Sequence, residues 1–151
     1  MTSYEVALSL GVRHPDVDPE QITRELGLQP GHAWRDGEAR LDEAGTSMGG
    51  THRGSYWFCE ITPRPMFSGE NTLVESELTR VLHMLRKSIV FLQGLHYGGG
   101  TTELCISIFA HGDFRIELLP EELALLGRLG ITTKFDIKPY PTPSTAAKIT
   151  Q

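Results

Sequence analysis

The chain has 151 residues, 39% of them hydrophobic and 22% charged, the balance of one folded domain able to bury roughly 70% of the surface its unfolded form exposes. Nineteen Asp and Glu outweigh fourteen Lys and Arg, and the net charge of -5 repels phosphate backbones and anionic lipid, which sets general nucleic-acid and membrane binding aside. No window reaches the roughly 20 apolar residues of a membrane span, residues 1–11 lack the basic flank and apolar core of a leader, and Cys59 and Cys105 are too few for a disulfide framework, so a cytoplasmic domain is expected.

From the N-terminus, Tyr4, Val6, Leu8, Leu10 and Val12 alternate with Glu5, Ala7, Ser9 and Gly11, the period of a half-buried strand. Asp18 as N-cap, Pro19 in the first turn and Gly27 past the last predict a short helix over 19–26, with Ile22 and Leu26 as its buried stripe. Residues 30–54 are polar, hold an Asp36-Gly37 turn signal and a Gly/Ser/Thr run over 45–51, and read as one long loop, mobile over 43–53. Residues 56–62 read as a strand ended by Pro63 and Pro65. Val74, Leu78, Val81, Leu82, Leu85, Ile89 and Leu92 keep helical spacing behind a Thr72/Glu75 capping box, predicting one long amphipathic helix closed by Gly94. Residues 102–110 and 114–118 predict a hairpin about His111-Gly112-Asp113. Pro120 opens a third helix that Gly130 stops, and 133–138 is a last strand before a Pro/Thr-rich tail over 139–151.

This order predicts an α+β fold over a single domain at residues 1–138. It is a two-layer sandwich with an antiparallel-rich sheet and helices on one face, and its last six elements match the split βαβ pattern of ferredoxin-like folds. On the sheet face without helices the alternation places Glu5, Ser9, Glu103, Ser107, Arg115, Glu117, Lys134 and Asp136, with Cys105 and Phe109 among them. Such a face is too polar for an obligate hydrophobic interface.

Several of these signals occur together in a known pattern. The stretch from Asp18-Pro19-Glu20 to Leu26-Gly27-Leu28-Gln29-Pro30, then Trp34-Arg35-Asp36-Gly37, then Tyr56-Trp57, and late in the chain Leu129-Gly130-Ile131 ahead of Phe135-Asp136-Ile137, resembles the bacterial domain-of-unknown-function family 4279 over most of residues 4–138. These residues are caps, turns and aromatic packing positions, so the resemblance implies a fold and a bacterial origin and brings no catalytic residues with it.

The chemistry-bearing residues are sparse. His14, His32, His52, His83, His96 and His111 show no HxH or HExxH spacing and the cysteines no CxxC, so neither a metal nor a cofactor is expected. The Gly98-Gly99-Gly100-Thr101-Thr102 run follows a helix and precedes a strand, the reverse of a phosphate loop, and reads as a flexible connection. Cys59 and Cys105 sit in apolar strands without an activating neighbour, no GxSxG elbow is present, and an enzyme is disfavoured. Trp34, Arg35, His52, Arg53 and Trp57 bring together the residue types enriched at binding hot spots and are the candidate ligand- or partner-binding residues. The competing reading has Trp34 tacking the loop to the domain and Trp57 filling core. The expected function is a non-enzymatic binding or protein-interaction module, of inhibitor or immunity type, holding a basic protein partner on its acidic surface. The alternative is a small-ligand sensor or enzyme with a cleft under the 31–54 loop. Both a monomer and a homodimer joined through the open sheet face fit the sequence.

Overall fold

The alternation that opens the chain builds the middle of the molecule. In a computed structural model, which describes residues 4–62, 66–68 and 73–139, it forms β1 (Tyr4–His14), with Tyr4, Val6, Leu8, Leu10 and Val12 all buried. Next come α1 (Pro19–Leu26), the short strands β2 (His32–Trp34), β3 (Ala39–Leu41) and β4 (Ser47–Thr51), then β5 (Ser55–Glu60) and β6 (Met66–Ser68). The second half adds α2 (Leu73–Arg86), α3 (Ile89–Tyr97), β7 (Thr101–Ala110), α4 (Pro120–Leu129) and β8 (Ile131–Pro139). The main sheet has the order β2-β5-β1-β7-β8, and β3 and β4 form a separate two-stranded ribbon. β1 is antiparallel to both β5 and β7, whereas β8 runs parallel to β7. Where β1 changes partner from β5 to β6, the Leu8 N–H donates to the buried Thr62 hydroxyl at 2.7 Å and its carbonyl accepts from Ile61 N–H at 2.9 Å.

The described helices and the longer sheet strands share one core. The inward rows of β1, β5 and β7 meet Ile22 and Leu26 of α1, Leu78, Val81 and Leu85 of α2, Leu92 and Leu95 of α3, and Leu126 and Leu129 of α4 in a single cluster. Each fully buried aliphatic side chain there contributes about 1.5–3 kcal/mol. The cap signals of α1 are realised: Asp18 Oδ1 accepts the Glu20 N–H at 3.0 Å, and Gly27 ends the helix at φ 68°, a left-handed conformation that costs glycine little. α4 starts differently, because Leu119 at its N-cap has no side-chain acceptor. Glu122 Oε1 instead reaches back to the Leu119 N–H at 3.1 Å.

Four expectations change. The long helix is broken at Lys87–Ser88 into α2 and α3, although its apolar period continues across the break. Ser88 donates its N–H to Leu85 O, a tightened last turn, and its hydroxyl to Glu25 O of α1 at 2.9 Å, a long-range bond that fixes the chain at the break. The helix then passes through Gly94 and ends at Tyr97. Residues 114–118 are not a strand, because both edges of β7 are already taken by β1 and β8. Their alternation instead packs Phe114, Ile116 and Leu118 against the core. The 31–54 loop contains β2, β3 and β4, held by backbone pairing that Ser47-Met48-Gly49-Gly50-Thr51 does not announce. Every residue of β3 and β4 is exposed, so this ribbon projects and does not lie over the domain. Of the ferredoxin-like expectation, the coarser statement holds: mixed α and β around a mostly antiparallel sheet. β5 and β7 run in the same direction on either side of β1, while β7 and β8 lie side by side and parallel. Thr72, Pro63, Pro65 and the tail from 140 to 151 lie outside the described residues.

Candidate functional site

The alternation of β1 that buries Leu10 and Val12 sends Gly11 and Arg13 to the sheet face without helices. Strand register then sets their neighbours: Tyr56 opposite Arg13 and Phe58 opposite Gly11 on β5, with Trp34 and His32 opposite these on β2. The Arg13 guanidinium lies 4.8 Å above the Tyr56 ring, a cation–π distance. Trp34 and Tyr56 have centroids 4.6 Å apart, and His52 stacks on Trp34 at 4.2 Å and 11°. Gly11, lacking a side chain, floors a shallow dish of about 110 Å³ bounded by Tyr56, Phe58, Glu103 and Cys105.

His52 reaches this stack because the foot of the ribbon is latched. The Gly37 N–H donates to His52 O at 3.0 Å and the His52 N–H to Glu38 O at 2.8 Å. Asp36 Oδ1 accepts the Gly54 N–H at 2.8 Å, while Ser55 Oγ accepts the Asp36 N–H at 3.0 Å. On the other side, His14 Nδ1 accepts the N–H groups of Asp16 and Val17 at 3.1 and 3.0 Å, which assigns its proton to Nε2. With Nδ1 so used, the 3.3 Å approach of Asp16 Oδ1 is not an ion pair. The ring packs on the 98–100 turn so closely that a Cβ on Gly100 would fall 2.8 Å from it and 2.7 Å from Leu95 O. These glycines serve close approach, where the sequence reading expected slack.

Between the stack and that turn lies a concavity of about 340 Å³ lined by Arg13, His14, Trp34, His52 and Arg53 among others. A neighbouring one of about 610 Å³ is lined by Arg40, Gly50, Thr51, His52 and Arg53. Although the chain has nineteen acidic residues, neither lining contains an Asp or Glu among the described residues. A larger opening, about 1110 Å³, has the opposite character: Glu75, Asp113, Glu117 and Glu122 line it with Phe114 and, as the one cation among the described residues there, Arg115. There Glu75 Oε1 accepts the Glu117 N–H at 3.0 Å, and Oε2 is buried with no hydrogen-bond partner among the described residues. We take the smaller, aromatic and cationic face as the candidate site, since side chains suited to recognition converge there and volume alone does not select a ligand.

Trp34, His52 and Arg53, proposed from sequence, are brought together. Arg35 turns to the start of α1, 3.8 Å from Asp18 Oδ2. Trp57 lies on the other face, fully buried, its indole N–H donating to Thr23 Oγ1 at 3.0 Å. Tyr56, near His52 and Arg53 in sequence but not among the chosen candidates, joins them and Trp34, and Arg13 and Phe58 were missed. Their signal was strand parity, because an inward Trp57 turns Tyr56 and Phe58 outward and an inward Val12 does the same for Arg13. Burial, reinforced by Glu60, pushes the Cys59 thiol up and keeps it protonated, while Cys105 sits half-buried on the open face. Among the described residues no group of three or more His, Cys, Asp or Glu is placed to hold a metal ion. The arrangement can stack a flat group and hold negative charge.

A family model described as Domain of unknown function (DUF4279) matches residues 2–140, a span that takes in every element from β1 to β8. No curated protein and no solved structure matches the chain.

Proposed function

The chain belongs to the DUF4279 family, and from that premise we propose that it is a non-enzymatic protein-interaction module whose recognition surface is the face built by Trp34, His52, Tyr56, Phe58, Arg13 and Arg53. The observation that carries this reading is that the described linings of the two concavities around His52 and Arg53 hold arginines and no carboxylate, beside a stack of three aromatic rings, while Glu103 bounds only the shallow dish over Gly11 and is engaged by Lys134. Tryptophan and tyrosine offer large contact area at low entropic cost, and clustered arginines select an anionic partner. The partner class is therefore an acidic peptide segment carrying an aromatic or other planar side chain. A basic partner, the sign favoured by the whole-chain charge, finds its complement only at the carboxylate-lined opening beside Glu75 and Glu117. The alternative of a small-ligand site draws support from the roughly 340 Å³ concavity beside Trp34, which suits a small planar anion.

The test is fluorescence titration with a glutamate-rich heptapeptide bearing one central phenylalanine, read through Trp34, since Trp57 is sealed in the core. A saturable change that weakens with salt is expected, and Arg13→Glu with Arg53→Glu should weaken binding at least about tenfold while circular dichroism stays unchanged. An affinity indifferent to that double reversal would overturn the reading. Binding of free aromatic carboxylates as tightly as the peptide would favour the small-ligand alternative.

A further inference from the structure

The two ends of the sheet are unlike. β2 closes one end with three residues, whereas β8 closes the other with nine, paired to β7 in unbroken register from Ile131 to Pro139 and exposed along most of its length. Long regular edge strands pair with other strands unless a bulge, a proline or charge blunts them, and β8 has no register shift and no proline before its last residue. Its helix side shows Phe135 at 39% exposure and Ile137 at 54%. Leu119 and Leu123, one turn apart at the start of the adjoining α4, are 55% and 53% exposed. Its other side carries charges of alternating sign, Lys134, Asp136 and Lys138, with Lys134 2.9 Å from Glu103 and Lys138 3.4 Å from Asp136.

We infer that β8 is a dimerisation edge, pairing antiparallel with β8 of a second copy about a twofold axis at Phe135. The charge pattern selects this register. Centred on Phe135, Lys134 of each copy faces Asp136 of the other, Phe135 meets its own counterpart, and Thr133 meets Ile137, so the whole strand is paired. Moving the centre one residue to Asp136 opposes Asp136 with itself and Lys134 with Lys138, and moving it to Lys134 opposes two lysines. Centring on Ile137 keeps opposite charges together but pairs only residues 135–139, which leaves the first half of the strand without a partner. Directly opposed cross-strand charges stabilise or destabilise a pair according to sign. A self-complementary edge satisfies the isologous symmetry of a twofold dimer. The two sheets then continue into one, and the exposed α4 leucines flank the junction on both sides.

Sedimentation of the full chain from about 1 to 100 μM, the range in which interfaces of modest size associate, should show a monomer–dimer equilibrium. Lys134→Glu alone and Asp136→Lys alone each create two like-charge oppositions and should each raise the dimer dissociation constant by about tenfold or more. Mixing the two variants should restore a heterodimer. The side chains introduced at position 134 of one copy and position 136 of the other then face each other with opposite sign, and the unaltered Asp136 and Lys134 form the second pair. A purely structural role for these side chains would not produce that rescue. Circular dichroism checks that each variant folds. A monomer throughout the range, or a dimer that both single variants and their mixture leave unaltered, would sink the inference. So would a monomeric full chain that dimerises only after removal of residues 140–151, since the edge would then be covered by its own tail.

Discussion

Trp57→Ala should cost about 3–5 kcal/mol in urea unfolding, because its indole is fully buried and its N–H is held by Thr23. Trp34→Ala should cost only about 1–2 kcal/mol, the worth of its stacking on His52 and Tyr56. Equal losses would mean that Trp34 is a core residue and that the aromatic face is packing alone. Side-chain type predicted that the tryptophans and arginines near the long loop matter. Direction was a separate property, set for Trp57 by the parity of β5 and for Arg35 by Asp18, the cap of α1. The same limit applies to Gly98 and Gly100. Their composition suggested slack, and only the His14 ring lying against them shows why larger residues would clash.

At the scale of elements, the β3–β4 ribbon contributes exposed surface to the molecule and no core. Replacing residues 39–51 with a two-residue Asn-Gly turn between Glu38 and His52, which already share a backbone hydrogen bond, should change unfolding free energy by less than about 1 kcal/mol. A loss above about 3 kcal/mol would show that the ribbon packs on the domain. Elements whose signals are local were legible: α1 through Asp18 and Gly27, β1 through alternation, α4 through Pro120 and Gly130. Those that depend on a partner were not. β4 carries little strand propensity and exists because β3 pairs with it, while 114–118 carries the alternation but follows β7, whose two edges are already taken by β1 and β8. The break at Ser88 likewise rests on a bond to Glu25, distant in the chain.

For the whole molecule, a single core cluster reaching from β1 to α4 implies that the chain unfolds as one unit. Tryptophan emission, dominated by the change around buried Trp57, and far-ultraviolet circular dichroism should therefore follow one coincident urea transition. Separate midpoints would divide the domain. Sequence alone determined the mixed α and β class, the buried rows, the ends of α1 and α4 and the family, because alternation, helical spacing and cap chemistry are read from neighbours in the chain. The tertiary structure decided the strand order, with β1 between β5 and β7, the parallel placement of β8 at the open end, and the meeting of Arg13, Trp34, His52 and Tyr56. Those features depend on pairing between residues far apart in the chain, such as Tyr4 with Ala110. Such pairing is chosen by which edges remain free once the central strands have joined, a competition that no local pattern records.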